Sequence, residues 1–132
     1  MCKFEKLLDL VMNYMQLGRV GITANIFYQF EDHEDNNPVK YIAKKFFKDK
    51  SFEDAYEISF KINTPVIIDN HHINHINIFD PAVDEYVFEE HQFGILKTKD
   101  INCLMSNIAL KKDFICKVTG YFLSEITQDK RL

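Results

Sequence analysis

The sequence predicts an α+β fold: a mainly antiparallel sheet of four to five strands, with an N-terminal helix and C-terminal helices packed on one face. Three observations predict it. Two segments alternate apolar and polar residues with a period of two, as strands covered on one side do. Apolar residues spaced three and four apart mark helices at both ends of the chain. Strands and helices do not alternate regularly between those ends, which disfavours a parallel βαβ arrangement.

The first helix is expected over residues 3–17, where Phe4, Leu7, Leu8, Val11, Met12 and Met15 share helical spacing and Gly18 stands where a terminating glycine would. Val20, Ile22, Ala24, Ile26, Tyr28 and Phe30 then alternate with mostly polar neighbours, giving the clearest strand. Glu31 to Asn37 reads as an exposed turn. Asn37 as N-cap and Pro38 at the first helical position start a second helix, with Val39, Ile42, Ala43, Phe46 and Phe47 inward and the lysines outward. Ser51 to Asp54 can cap one further turn.

Tyr56, Ile58, Phe60 and Ile62 alternate with polar residues as a second strand, which Thr64-Pro65 breaks. Residues 66–79 read as a β-hairpin with turn chemistry at Asp69-Asn70-His71. Asp80-Pro81 punctuates; residues 83–91 suit helix or strand equally, and residues 93–98 suit a strand. Asp100 is placed to cap a helix with Ile101, Leu104, Met105, Ile108 and Ala109 inward. Asp113 restarts it for Phe114, Ile115, Val118, Phe122 and Ile126, with Gly120 a weak point. Gln128 to Leu132 reads as a loose tail.

At 132 residues, without an internal repeat or an evident linker, the chain is expected to form one domain over residues 1–132. Twelve Phe and six Tyr with no Trp make an aromatic core the expectation. The apolar runs are short and broken by charges, so no membrane partner is expected. The opening residues do not resemble a secretory signal, and Cys2, Cys103 and Cys116 form no C-x-x-C. A reducing cytoplasm with free thiols follows as the expected location. A net charge of −4 argues against nucleic acid as a partner.

That charge is unevenly spread. Glu31, Asp32, Glu34 and Asp35 are clustered, and lysines at 40, 44, 45, 48 and 50 follow them. Between Thr64 and His91 stand Asp69, Asp80, Asp84, Glu85, Glu89 and Glu90 with His71, His72, His75 and His91, and no lysine or arginine. Carboxylates and imidazoles without basic neighbours suit a positively charged partner or a divalent cation.

The leading expectation is a non-catalytic cytosolic α+β binding protein, of the inhibitor or immunity-protein kind, presenting an acidic, histidine-containing surface to a basic protein partner. Its partner-binding residues are expected at Glu31, Asp32, Glu34, Asp35, Asp80, Asp84, Glu85, Glu89 and Glu90, with no cofactor. A second reading is a metal-dependent, hydrolase-like enzyme using His71, His72, His75 and Asp80, with His91 as a further ligand. Its weakness is spacing: the cluster matches neither H-E-x-x-H nor a Cys/His zinc pattern. The same histidines also suit an ordinary solvated strand face. A third reading is a structural subunit or homodimer whose strand edge or aromatic surface another copy covers.

No nucleophile is supported. Cys103 and Cys116 lie in apolar runs expected to be helical, and Ser106 and Ser124 occupy no nucleophile elbow. The four glycines form no phosphate-binding loop.

Overall fold

The computed structural model describes residues 2–30, 37–47, 52, 54–84 and 92–129, with backbone alone at 83, 84 and 92. Its elements are α1 (Lys3–Met12), β1 (Gly21–Gln29), α2 (Pro38–Ile42), β2 (Phe60–Asn63), β3 (Val66–Ile68), β4 (His71–Asp84), β5 (Gln92–Cys103) and α3 (Lys112–Gln128). The strands form one five-stranded antiparallel sheet in the order β1-β5-β4-β2, and β3 also pairs with β4. This is the α+β architecture that the periodicities imply, with one C-terminal helix in place of two.

The chain divides into two compact units. The first comprises Met1–Thr23, Asn63–His75 and Asp100–Leu132. Its core is built from Leu8, Ile73, Ile101, Cys103, Leu110, Phe114, Ile115, Val118 and Phe122. Helix α3 buries Phe114, Ile115, Val118 and Phe122, a stripe at helical spacing. Helix α1 is tied to it by Lys112 Nζ, 2.6 Å from Asp9 Oδ1. At the start of α1, Glu5 Oε2 accepts the Cys2 N–H at 2.9 Å and satisfies one of the donors a helix start leaves open.

The hairpin β3–β4 pairs Val66 with Ile73, Ile67 with His72 and Ile68 with His71. Its two-residue turn needs positive φ twice, and Asp69 (47°) and Asn70 (62°) supply it. Asn and Asp tolerate that conformation better than other side-chain-bearing residues.

The second unit comprises Ala24–Ile62 and Ile76–Lys99. Asn37 caps α2 by accepting the Lys40 N–H at 3.1 Å, and Pro38 follows it. The helix widens into a π-type turn over Ala43–Phe47. Ile42 and Ala43 are buried there. The rings of Phe46, Phe60 and Phe79 pack together, Phe60 stacking on Phe79 at 4.7 Å. Phe79 is buried in this group while Phe46 and Phe60 are half-buried, so the expected aromatic core is present only in part. Gly94 permits a close approach: a Cβ there would lie 2.8 Å from the Phe27 ring and closer still to the Tyr28 carbonyl.

Several sequence expectations need correction. Helix α1 stops at Met12, five residues short of the expected end, and Gly18 does not cap it. Instead the Gly18 carbonyl accepts the Ser106 N–H at 2.7 Å, and a side chain at Gly18 would crowd Ser106 and Met105. The strand expected from Tyr56 begins only at Phe60, leaving Tyr56 98% exposed. Asp80-Pro81 does not interrupt β4, which runs on to Asp84. Beyond residue 80 that strand has left β2 behind, so the missing proline N–H removes no bond to it.

The largest departure concerns the expected helix at 101–109. Residues 100–103 finish β5, with the Cys103 N–H bonded to the Val20 carbonyl at 3.0 Å. Asp100 accepts from the Asn102 amide at 3.0 Å rather than capping a helix. Residues 104–110 form an irregular loop held by Leu110 N–H to the Leu17 carbonyl at 2.7 Å. Leu104, Met105 and Ile108, expected inward, are exposed. The extra capping turn expected at 51–54 falls largely outside the described residues.

Candidate functional site

Two places bear on the residues that the sequence singles out. The first is an end of the sheet in the second unit. Phe30, the residue after β1, donates its N–H to the Phe93 carbonyl at 3.0 Å, near the start of β5. Because the sheet is antiparallel, the end of β1, the start of β5 and the end of β4 lie at the same end. Residues 31–36 continue the chain from the first, and residues 85–91 join the other two.

Of the nine expected partner-binding carboxylates, Asp80 is described in full: it lies on β4 and accepts a hydrogen bond from the Ser59 hydroxyl. Asp84 is the last residue of β4, described by its backbone. Glu31, Asp32, Glu34, Asp35, Glu85, Glu89 and Glu90 lie outside the described residues, as does His91.

The second place is the face of β4 beneath α3 in the first unit. Alternation along the strand sends His71, Ile73 and His75 to one side. His71 is not in the turn: it is the first residue of β4, its ring centroid 4.3 Å from that of Phe114. Its Nδ1 lies 2.9 Å from the Asp69 carbonyl oxygen. A carbonyl can only accept, so Nδ1 is the donor in this bond.

His75 is buried, with Nδ1 3.0 Å from the Tyr121 hydroxyl and Nε2 3.8 Å from Glu125 Oε2. Burial, reinforced by the Glu125 charge, pushes the Tyr121 hydroxyl above its ordinary pKa. His72 points the other way and is exposed. His71 and His75 are therefore held by different residues of α3. Among the described residues, no three His, Cys, Asp or Glu side chains are grouped to hold a metal ion.

Next to His71 opens a cavity of about 440 Å³, whose lining includes Asp69, Ile108, Leu110, Phe114 and Lys117. Lys117 Nζ spans its rim to both Asp69 oxygens, at 2.7 and 2.9 Å. Helical spacing places Ile108 on the inner face of a helix, so the sequence does not reveal this groove. Nor does it reveal an amide ladder: Asn63 donates to Asn74 at 3.1 Å, and Asn74 to Asn102 at 3.2 Å. The signal for that ladder was present in the polar positions of two period-two segments, though pairing partners are not encoded by period alone.

The thiols also depart from expectation in part. Cys103 is buried on β5, its Sγ accepting the Val20 N–H at 3.3 Å. Cys116 is on α3, its pKa raised by burial first and by the Glu5 charge second. The raised pKa of Cys116 runs against its use as a nucleophile, since the reactive form is the thiolate.

Among the described residues no helix is long and apolar enough to cross a membrane. Comparison with known proteins gave no match to a family model, to a curated protein or to a solved structure.

Proposed function

We propose that this chain is a cytoplasmic binding protein, without a catalytic step of its own, that engages a basic protein through the acidic end of its sheet. The Phe30–Phe93 backbone bond is the observation that carries this reading. It ties the departure point of Glu31, Asp32, Glu34 and Asp35 to the strand that follows Glu85, Glu89 and Glu90. Asp80 and Asp84 lie on the strand leading into the second segment. Neither residues 31–36 nor residues 80–91 contain lysine or arginine. Negative charge concentrated in this way raises the encounter rate with a cationic surface and penalises acidic competitors. A blocking or neutralising role, as an inhibitor or immunity protein plays, is the form of binding that such steering serves.

The test is capture from a cell extract at low ionic strength, followed by salt elution and mass spectrometry. The full chain should retain basic proteins that a variant with Glu31, Asp32, Glu34 and Asp35 changed to lysine does not. Retention of the same proteins by both would overturn the proposal.

A further inference from the structure

We infer that β1 is an assembly edge that pairs with β1 of a second copy of this chain, joining two sheets across a twofold axis. Strand β1 is terminal in the order β1-β5-β4-β2, and among the described residues no strand pairs with its outer side. Terminal strands expose a row of N–H and C=O groups, and proteins commonly guard them with lysine, proline or a bulge. The nine residues of β1, Gly-Ile-Thr-Ala-Asn-Ile-Phe-Tyr-Gln, contain no charged residue and no proline.

The ladder to β5 fixes which groups face outward. The Val20 carbonyl accepts from Cys103 and the Phe30 N–H donates to Phe93, so even-numbered residues turn towards β5. Backbone polar groups alternate in direction along a strand. Gly21, Thr23, Asn25, Phe27 and Gln29 therefore point theirs to the outer edge. Burial supplies a second observation: the inward residues Ile22, Ala24 and Ile26 are only half-buried. Ile101 and Ile95, on the adjacent strand, are completely buried.

An antiparallel pairing centred on Asn25 satisfies all of these at once. It sets Gly21 against Gln29, Thr23 against Phe27 and Asn25 against its copy, with about ten new backbone hydrogen bonds. Ile22 then neighbours Tyr28 of the second copy and Ala24 neighbours Ile26, so apolar side chains continue on one face. Asn25 Oδ1 already accepts from the Thr98 hydroxyl at 2.9 Å, leaving its amide hydrogens for the axis. No charge meets another within the paired strands. Because they run in opposite directions, the acidic segments that follow Phe30 leave from opposite ends of the joined edge. A second copy fits this uncharged strand better than a foreign one, since self-pairing guarantees that the apolar faces coincide.

Light scattering coupled to gel filtration tests the inference on the full chain, together with amide hydrogen exchange. The expected mass is twice the 15.6 kDa of one chain. The amides of Thr23, Asn25 and Phe27 should be protected together with those of Ala24 and Ile26. Asn25→Lys should give a monomer with an unchanged circular dichroism spectrum and fast exchange confined to the odd-numbered residues of β1. Asn25→Pro, which removes the outward N–H together with the Thr98 hydrogen bond, should also give a monomer, with fast exchange at 23 and 27. A monomeric wild type at high protein concentration would overturn the inference. So would a dimer that survives both substitutions or leaves the odd-numbered amides unprotected.

Discussion

The Phe30 N–H donates to the Phe93 carbonyl oxygen at 3.0 Å, and this one bond joins the roots of two acidic segments that lie far apart in the chain. The proposed binding of a basic partner requires both segments to act on its approach. Lysine substitution at Glu31, Asp32, Glu34 and Asp35 should slow partner association by about tenfold or more at low salt. Reversal at Asp84, Glu85, Glu89 and Glu90 should do likewise. Stopped-flow association rates measure both, and equal rates for wild type and either variant would contradict the shared end.

The course of residues 100–109 is tested by two isoleucines. Ile101 is fully buried on β5, whereas Ile108 is 80% exposed in the following loop. Ile101→Ala should cost about 2–5 kcal/mol in urea denaturation. Ile108→Ala should stay within about 0.5 kcal/mol. Comparable losses at both positions would indicate a helix with both residues inward.

The hairpin turn offers a backbone test. Asn70 sits at φ 62°, where a β-branched residue is strained. Asn70→Val should lower stability by roughly 1–2 kcal/mol, while Asn70→Gly should leave it unchanged or raise it slightly. A neutral valine variant would exclude the turn geometry.

Alkaline pH should weaken the fold. Burial, then Glu125, raises the Tyr121 pKa above 10.0, so the folded chain holds that proton more tightly than the unfolded chain. Stability is then full below the unfolded value and is lost as pH rises through the raised folded value. Cys116, raised above 9.0 chiefly by burial, acts in the same direction from a lower pH. Lys112, raised by its hydrogen bond to Asp9, adds to the loss. Urea midpoints should therefore fall from about pH 9 upward. Tyr121→Phe should flatten the portion above about pH 10, and an unaltered slope in that variant would remove Tyr121 from the account.

What could be read in advance followed local rules. The alternation from Val20 to Phe30, the Asn37-Pro38 helix start and the Asp69-Asn70 turn each depend on neighbours within a few residues, and each is present. Asp100 failed for the opposite reason. Its capping chemistry is locally sound, but a non-local bond from Cys103 to Val20 extends β5 through it. Helical spacing over Ile101, Leu104 and Ile108 was coincidental, because only the first belongs to a core. The histidines show the same division. Their presence between carboxylates is plain in the chain, whereas the placement of His71 on Phe114 and His75 on Tyr121 depends on where α3 docks.

Electrostatic recruitment of a basic partner by one end of the sheet is tested by the ionic-strength dependence of association with the captured partner. Wild type should show a rate that falls steeply as salt rises, while a variant reversed in both acidic segments should be slow and nearly salt-independent. A wild-type rate that is flat across the same range, or a reversed variant with the same slope, would contradict it.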